Sequence, residues 1–298
     1  DAYNNTATGY ANGNHTITWS GASTSPGGNA PNYPTSTVSF TNGVSTTTLS
    51  ATLFAAGSNN LTATASSPSL TGTATISVSP AAADHFKVTA PATATAGTAF
   101  NTVTLTAQDA YNNTATGYAN GNHTITWSGA STSPGGNAPT YPTSTVSFTN
   151  GVSTTTLSAT LFAAGSNNLT ATASSPSLTG TATISVNSAG VILSYNRTCP
   201  VSVAKGSSTG FTINVPNDAY GNSFRNTSSI AVGLTLSNTA NFGFGAVGTG
   251  TTTVNITTGP ANNTFTVVES GANKTATLTA TAPSGFTAPP SCTINAGP

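Results

Sequence analysis

The chain has 298 residues, of which only 3% are charged, and Lys+Arg and Asp+Glu number five each; a soluble protein usually carries about 25% charged residues. Zero net charge excludes the basic surface that holds nucleic acid by counterion release and the polybasic patch that holds an anionic membrane. No apolar run approaches the ~18 residues of a membrane span, and with no leader peptide and no methionine a mature or excised segment is expected.

Order is expected all the same, because the apolar fraction is 36% and its β-branched and aromatic members recur with period two. Solubility falls to Thr, Ser, Asn and Gly. A surface without charge repulsion associates easily.

From its first residue the chain reads "DAYNNTATGYANGNHTITWSG", and the same letters return at Asp109. Residues 1–78 recur as 109–186, with Asn32 against Thr140 as the single difference. A third, divergent copy is marked by "NDAYGNSF" around Asp218, Ala219 and Tyr220. A period near 108 is too long for a solenoid repeat of roughly 20–50 residues. It suits an immunoglobulin-type sandwich of about 100 residues. Three domains are expected: 1–80, 81–187 and 188–298.

The first copy starts partway through the pattern that the middle copy shows in full. In the middle copy "HFKVTA" puts Phe86 and Val88 on one face, and "FNTVTLTAQ" does so with Val103, Leu105 and Ala107. "HTITWSG" aligns Ile125 with Trp127. "TVSF" and "VSTTTLS" flank Asn150-Gly151, the strongest short hairpin signal. "NNLTATAS" and "GTATISV" follow, with Leu169, Ala171 and Ala173 on one strand and Ala182, Ile184 and Val186 on the other. Such alternation, punctuated by Gly, Pro and Asn, predicts an all-β fold of antiparallel sandwiches. Trp127 and its equivalent Trp19 are expected in the core.

About 25 residues before Asp109 supply the first two strands of the middle copy, and the first copy has no counterpart of them. Ile17, Trp19, Val38 and Leu61 would then lack a sheet edge and its cover. Two explanations compete: a window from a longer repeat array, ranked first, and strands donated by another subunit. Both imply end-to-end self-association into a polymer or a long stalk. The short linkers "SPAAADHF" and "NSAGVI" would hold neighbouring domains in a nearly fixed relation.

The stretch "GTATISVSPAAADHFKVTAPATATAGTAFNTVTLTAQDAYNNTATGY" resembles the bacterial immunoglobulin-like repeats of very long cell-surface proteins, in which "AGTAF" leads into a strand and then a "DAYGN" turn. It is similar, more distantly, to the invasin and intimin domains. The resemblance covers the middle copy fully and the first from Asp1, while the third shares "DAYGN" and little else. It implies an extracellular or cell-surface location and a role in adhesion, stalks or surface filaments.

Cys199 and Cys292 are the only cysteines. Cys199 alternates in step with Val201 and Val203 in the predicted first strand of the third copy, and Cys292 with Ile294 in the last. First and last strands lie side by side in many sandwiches, so a disulfide is expected, with an oxidising setting. Sequons stand at Asn4, Asn14, Asn60, Asn112, Asn122, Asn168, Asn196, Asn226, Asn255, Asn262 and Asn273. They are candidate glycosylation sites, though a chain this rich in Asn and Thr produces many by chance.

Catalysis has little to work with, and no catalytic residue, cofactor or metal is expected. Asp1, Asp84, Asp109, Asp218 and Glu269 are scattered, and no domain shows the close pair that glycoside hydrolysis needs. His15 and His123 are repeat equivalents at strand ends, where a histidine is usually structural. Asp109 and Asp218 bring one carboxylate each, too few for calcium, and fit an Asx-type turn better. Lys87, between Phe86 and Val88, points away from the core and cannot form a buried isopeptide bond.

A structural extracellular protein, the subunit of a filament or stalk, is therefore the leading expectation. The alternative is an adhesin module holding glycan or a host receptor, with Tyr33, Tyr141, Phe242 and Phe244 as its aromatic candidates. Loop anchoring or subunit contact accounts for those four residues better. An ice-binding threonine array is a distant third.

Overall fold

A computed structural model describes residues 2–223, 230–256 and 264–298, all in strands, turns and loops. The sheets fall into three groups along the chain, each around its own apolar cluster.

The middle unit has both layers of a sandwich. His85–Thr89 pairs antiparallel with Ala99–Gln108, setting Phe86 against Ala107 and Val88 against Leu105. Every second residue of Ala99–Gln108 from Val103 is buried, as period two requires. This strand pair lies in one layer with Gly121–Thr124, Thr145–Thr149, Val152–Ser153 and Leu157–Thr160. The facing layer holds Thr126–Ser128, Gly165–Ser174, Ser177–Asn187 and, in parallel, Thr93–Thr95. Between the layers lie Leu105, Ile125, Phe148, Leu169 and Ile184, all essentially inaccessible.

One predicted strand is cut in two. Gly121–Thr124 pairs with the first layer and Thr126–Ser128 with the second. The switch falls at Ile125, whose N–H bonds the Ser144 carbonyl at 2.7 Å while its side chain fills the core. The Asn150-Gly151 hairpin forms as expected, with both residues at positive φ (49° and 79°), the signature of a type I′ turn.

The first unit has the same strands with nothing corresponding to residues 84–108. Gly13–Ser20 runs unbroken, pairing by Gly13–Thr16 with Thr37–Thr41 and by Ile17–Ser20 with Gly57–Ser66. One five-stranded sheet results, closed by Ser69–Val78 and Val44–Ser45. Its buried cluster shrinks to Ile17, Val38 and Ala65. Leu178 of the middle unit is 2% exposed; its equivalent Leu70 is 52% exposed. Trp127 is buried, but Trp19 is only half-buried, which corrects the expectation that both are core residues. The indole keeps its bond to the Thr35 carbonyl, as Trp127 does to Thr143, so what differs is the cover and not the conformation.

The third unit packs Phe211, Phe242, Val232, Val267 and Leu278 between two sheets. Cys199 and Cys292 are disulfide-bonded, with Cα atoms 5.3 Å apart. Cys199 does not lie in the first strand, as its alternation with Val201 predicts. It sits in a bend beside Pro200, which has no N–H to give a ladder, and the short strands Val191–Ile192 and Ser194–Tyr195 come before it. Pairing resumes at Val201–Val203, which runs parallel to Cys292–Ala296 with Val201 opposite Ile294.

Candidate functional site: two repeated joints and an uncovered face

The "DAYNN" loop is built around its aspartate. Asp109 is fully buried. Its Oδ1 accepts the N–H groups of Tyr111 and Asn113, both at 2.9 Å, which closes the expected Asx-type turn. Its Oδ2 accepts the Ala81 N–H at 2.9 Å and the Asn113 side-chain amide at 3.0 Å. One carboxylate thereby ties the linker to the loop. Asn112 takes a left-handed φ of 62°. Asparagine and glycine tolerate that region best, which explains why the third copy reads "DAYGN", with Gly221 at φ 77°.

The last residue of the motif reaches into the preceding unit. The Asn113 amide donates to the Phe54 carbonyl at 2.8 Å, and its Oδ1 accepts the Ala56 N–H at 2.9 Å. A side-chain amide carries the same donor and acceptor as a peptide group, so Asn113 pairs with the "LFAAG" loop as an extra strand residue would. The Tyr111 ring packs 4.9 Å from Phe54, and the Tyr111 carbonyl accepts the Gly27 N–H at 2.9 Å. A Cβ on Gly27 would lie 2.8 Å from that oxygen, so only glycine fits.

The second joint repeats the first. Asp218 Oδ1 accepts from Tyr220 and Asn222, and Oδ2 from Ala189 at 2.8 Å. Asn222 donates to the Phe162 carbonyl and accepts from Ala164, both at 2.8 Å. The Tyr220 ring packs 5.0 Å from Phe162, and the Tyr220 carbonyl accepts the Gly135 N–H at 2.7 Å.

The aspartates are held by donors on every side. Burial pushes each carboxyl up, but the amide of Asn113 or Asn222 and the surrounding backbone N–H groups outweigh it, leaving both below the ordinary 3.8. With a lowered folded pKa, the joint's contribution is complete above the ordinary carboxylate range and is lost as pH falls through the folded value. Amide exchange at Ala81 and Ala189 is expected to accelerate at acid pH in the native chain. In Asp109→Asn/Asp218→Asn that acid step should be absent. The same geometry argues against calcium, because N–H donors already occupy the carboxylate oxygens.

The aromatic candidates are occupied elsewhere. The Tyr141 hydroxyl accepts the Ala130 N–H and donates to its carbonyl, anchoring the loop, and Tyr33 does the same at Ala22. Phe242 and Phe244 are buried in the third core. His123 stacks on Tyr118 and His15 on Tyr10. Lys87 is exposed. Among the sequons, Asn4, Asn14, Asn60, Asn122, Asn168, Asn196, Asn255 and Asn273 are exposed and Asn112 half-buried, while Asn226 and Asn262 lie outside the described residues. Sequence reasoning places the Asx turn but misses the role of Asn113 and Asn222. The available signal is the recurrence of the motif at each expected domain boundary.

On the first unit, a cavity of about 260 Å³ is lined by Tyr10, Phe40, Ala63, Ala65, Leu70 and Gly72, among others. The equivalent surface of the middle unit is filled by Phe86, whose ring lies 5.9 Å from Phe148 and 6.0 Å from Tyr118.

No protein-family model matches the chain, and no curated protein matches it. Among solved structures it is similar to the Escherichia coli adhesin FdeC (19% identity, TM-score 0.47, covering 100% of this chain and 90% of that one). It is similar also to invasin, described as a bacterial integrin-binding protein (15%, TM-score 0.39, 91% and 50%). A third likeness is to domains 4 and 5 of the S-layer protein SbsC (20%, TM-score 0.27, 47% and 69%). At these identities the fold assignment rests on the chain's own strand order and layering, which are those of an all-β, immunoglobulin-like sandwich protein.

Proposed function

We propose that the chain is a structural protein of the cell exterior, a stretch of a surface stalk or filament whose units are 1–80, 81–187 and 188–298. The observation that carries this reading is the twice-built joint, in which the same Asp, Tyr and Asn fix one unit to the next. A hydrogen-bonded joint at each boundary suits a spacer that transmits position, and a flexible tether has no use for one. The disulfide favours an oxidising compartment. The aromatic side chains that a glycan- or receptor-binding module would use are committed to loops and cores, so the adhesin alternative has no specific support.

The test is immunogold electron microscopy of the producing cells with antibody raised against this chain. Label along surface appendages, persisting after a high-salt wash because there are few charges to screen, is the expected result. Label confined to the cell interior would overturn the reading.

A further inference from the structure

The first unit carries a binding face whose occupant the middle unit displays. In the middle unit, residues 84–108 form a ribbon that touches both layers. Ala99–Gln108 pairs with Leu157–Thr160 and Val152–Ser153 of one layer, and Thr93–Thr95 pairs with Ser177–Asn187 of the other. The backbone of Phe86 passes so close to Gly180 that a Cβ there would lie 2.0 Å from its carbonyl oxygen. At the equivalent Gly72 nothing lies within 4 Å.

The two surfaces have the same sequence. Tyr10, Phe40, Leu49 and Leu70 stand where Tyr118, Phe148, Leu157 and Leu178 stand, and the second set is buried. The first set is half-buried or exposed. The lining is apolar, the cavity has the position of the Phe86 ring, and the glycine that admits the ribbon backbone is already in place.

We infer that this face is a strand-acceptor site, and that it takes a copy of the 84–108 segment presented by a second polypeptide. Recognition comes from Phe-x-Val on one strand and Val-x-Leu-x-Ala on the other, entering the cavity in alternation, with main-chain pairing along the open edge. The inference rests on the proposed assembly of units, which it deepens by naming the contact.

The test titrates the full chain with synthetic peptide 84–108, following the emission of Trp19 and amide exchange in residues 61–73. Saturable one-to-one binding is expected, with a blue shift and protection of that stretch. A peptide carrying Phe86→Ala should bind roughly a hundredfold more weakly, since the ring fills the cavity. The chain variant Leu70→Asp, changed at an exposed position and therefore still folded, should lose binding more than about tenfold. No binding to the native chain would overturn the site, as would equal binding of the Phe86→Ala peptide. Either failure leaves the surface labelling result standing, so the site and the functional reading fail separately.

Discussion

Phe148→Ala is expected to destabilise the middle unit by about 3–5 kcal/mol, the usual cost of emptying a buried aromatic site. Phe148 is 1% exposed and lies against Phe86, Tyr118 and His123. Its loss leaves a void that these rings, fixed by the surrounding strands, cannot close. Phe40→Ala deletes the same ring from the same local sequence, yet its expected cost is well under half as large. Phe40 is only half-buried and borders the open cavity. Urea unfolding of each variant, followed by circular dichroism and by the fluorescence of Trp19 and Trp127, measures both. Equal losses would mean that the first unit has a complete core and that its uncovered face is misread.

Reduction of the Cys199–Cys292 bond is expected to lower the stability of the third unit by about 4–5 kcal/mol in the chain-entropy model. The bond spans 93 residues, nearly the whole unit. Opening it restores that loop's freedom to the unfolded chain and leaves the folded sheets intact. Guanidinium unfolding with and without reductant gives the value, and proteolytic mapping under non-reducing conditions gives the pairing. Two alkylatable thiols in the native chain would contradict the bond itself.

Much of this architecture is legible in the amino-acid order. Val103, Leu105 and Ala107 announce their strand by period two, and Asn150-Gly151 announces its hairpin. Cys292 is placed correctly by its alternation with Ile294, because alternation in a strand is set locally. The split at Ile125 is invisible for the same reason: Ile125 and Trp127 point the same way whether their strand stays in one sheet or changes sheets. Sequence alone misplaces Trp19, because its burial depends on a ribbon that lies outside its own local pattern. Asn113 is likewise opaque, since its partners Phe54 and Ala56 lie 59 and 57 residues earlier. Only the recurrence of "DAY" at each boundary hints that the motif serves a joint.

Small-angle X-ray scattering of the chain and of Asn113→Ala/Asn222→Ala tests the central claim most directly. The double variant leaves the Phe54 and Phe162 carbonyls and the Ala56 and Ala164 N–H groups without their partners while touching no unit's core. The account predicts that the native chain scatters as one elongated particle of defined length, and that the variant shows a broad distribution of lengths with each unit still folded. A native chain as variable as the variant, or a variant as stiff as the native chain, would contradict it.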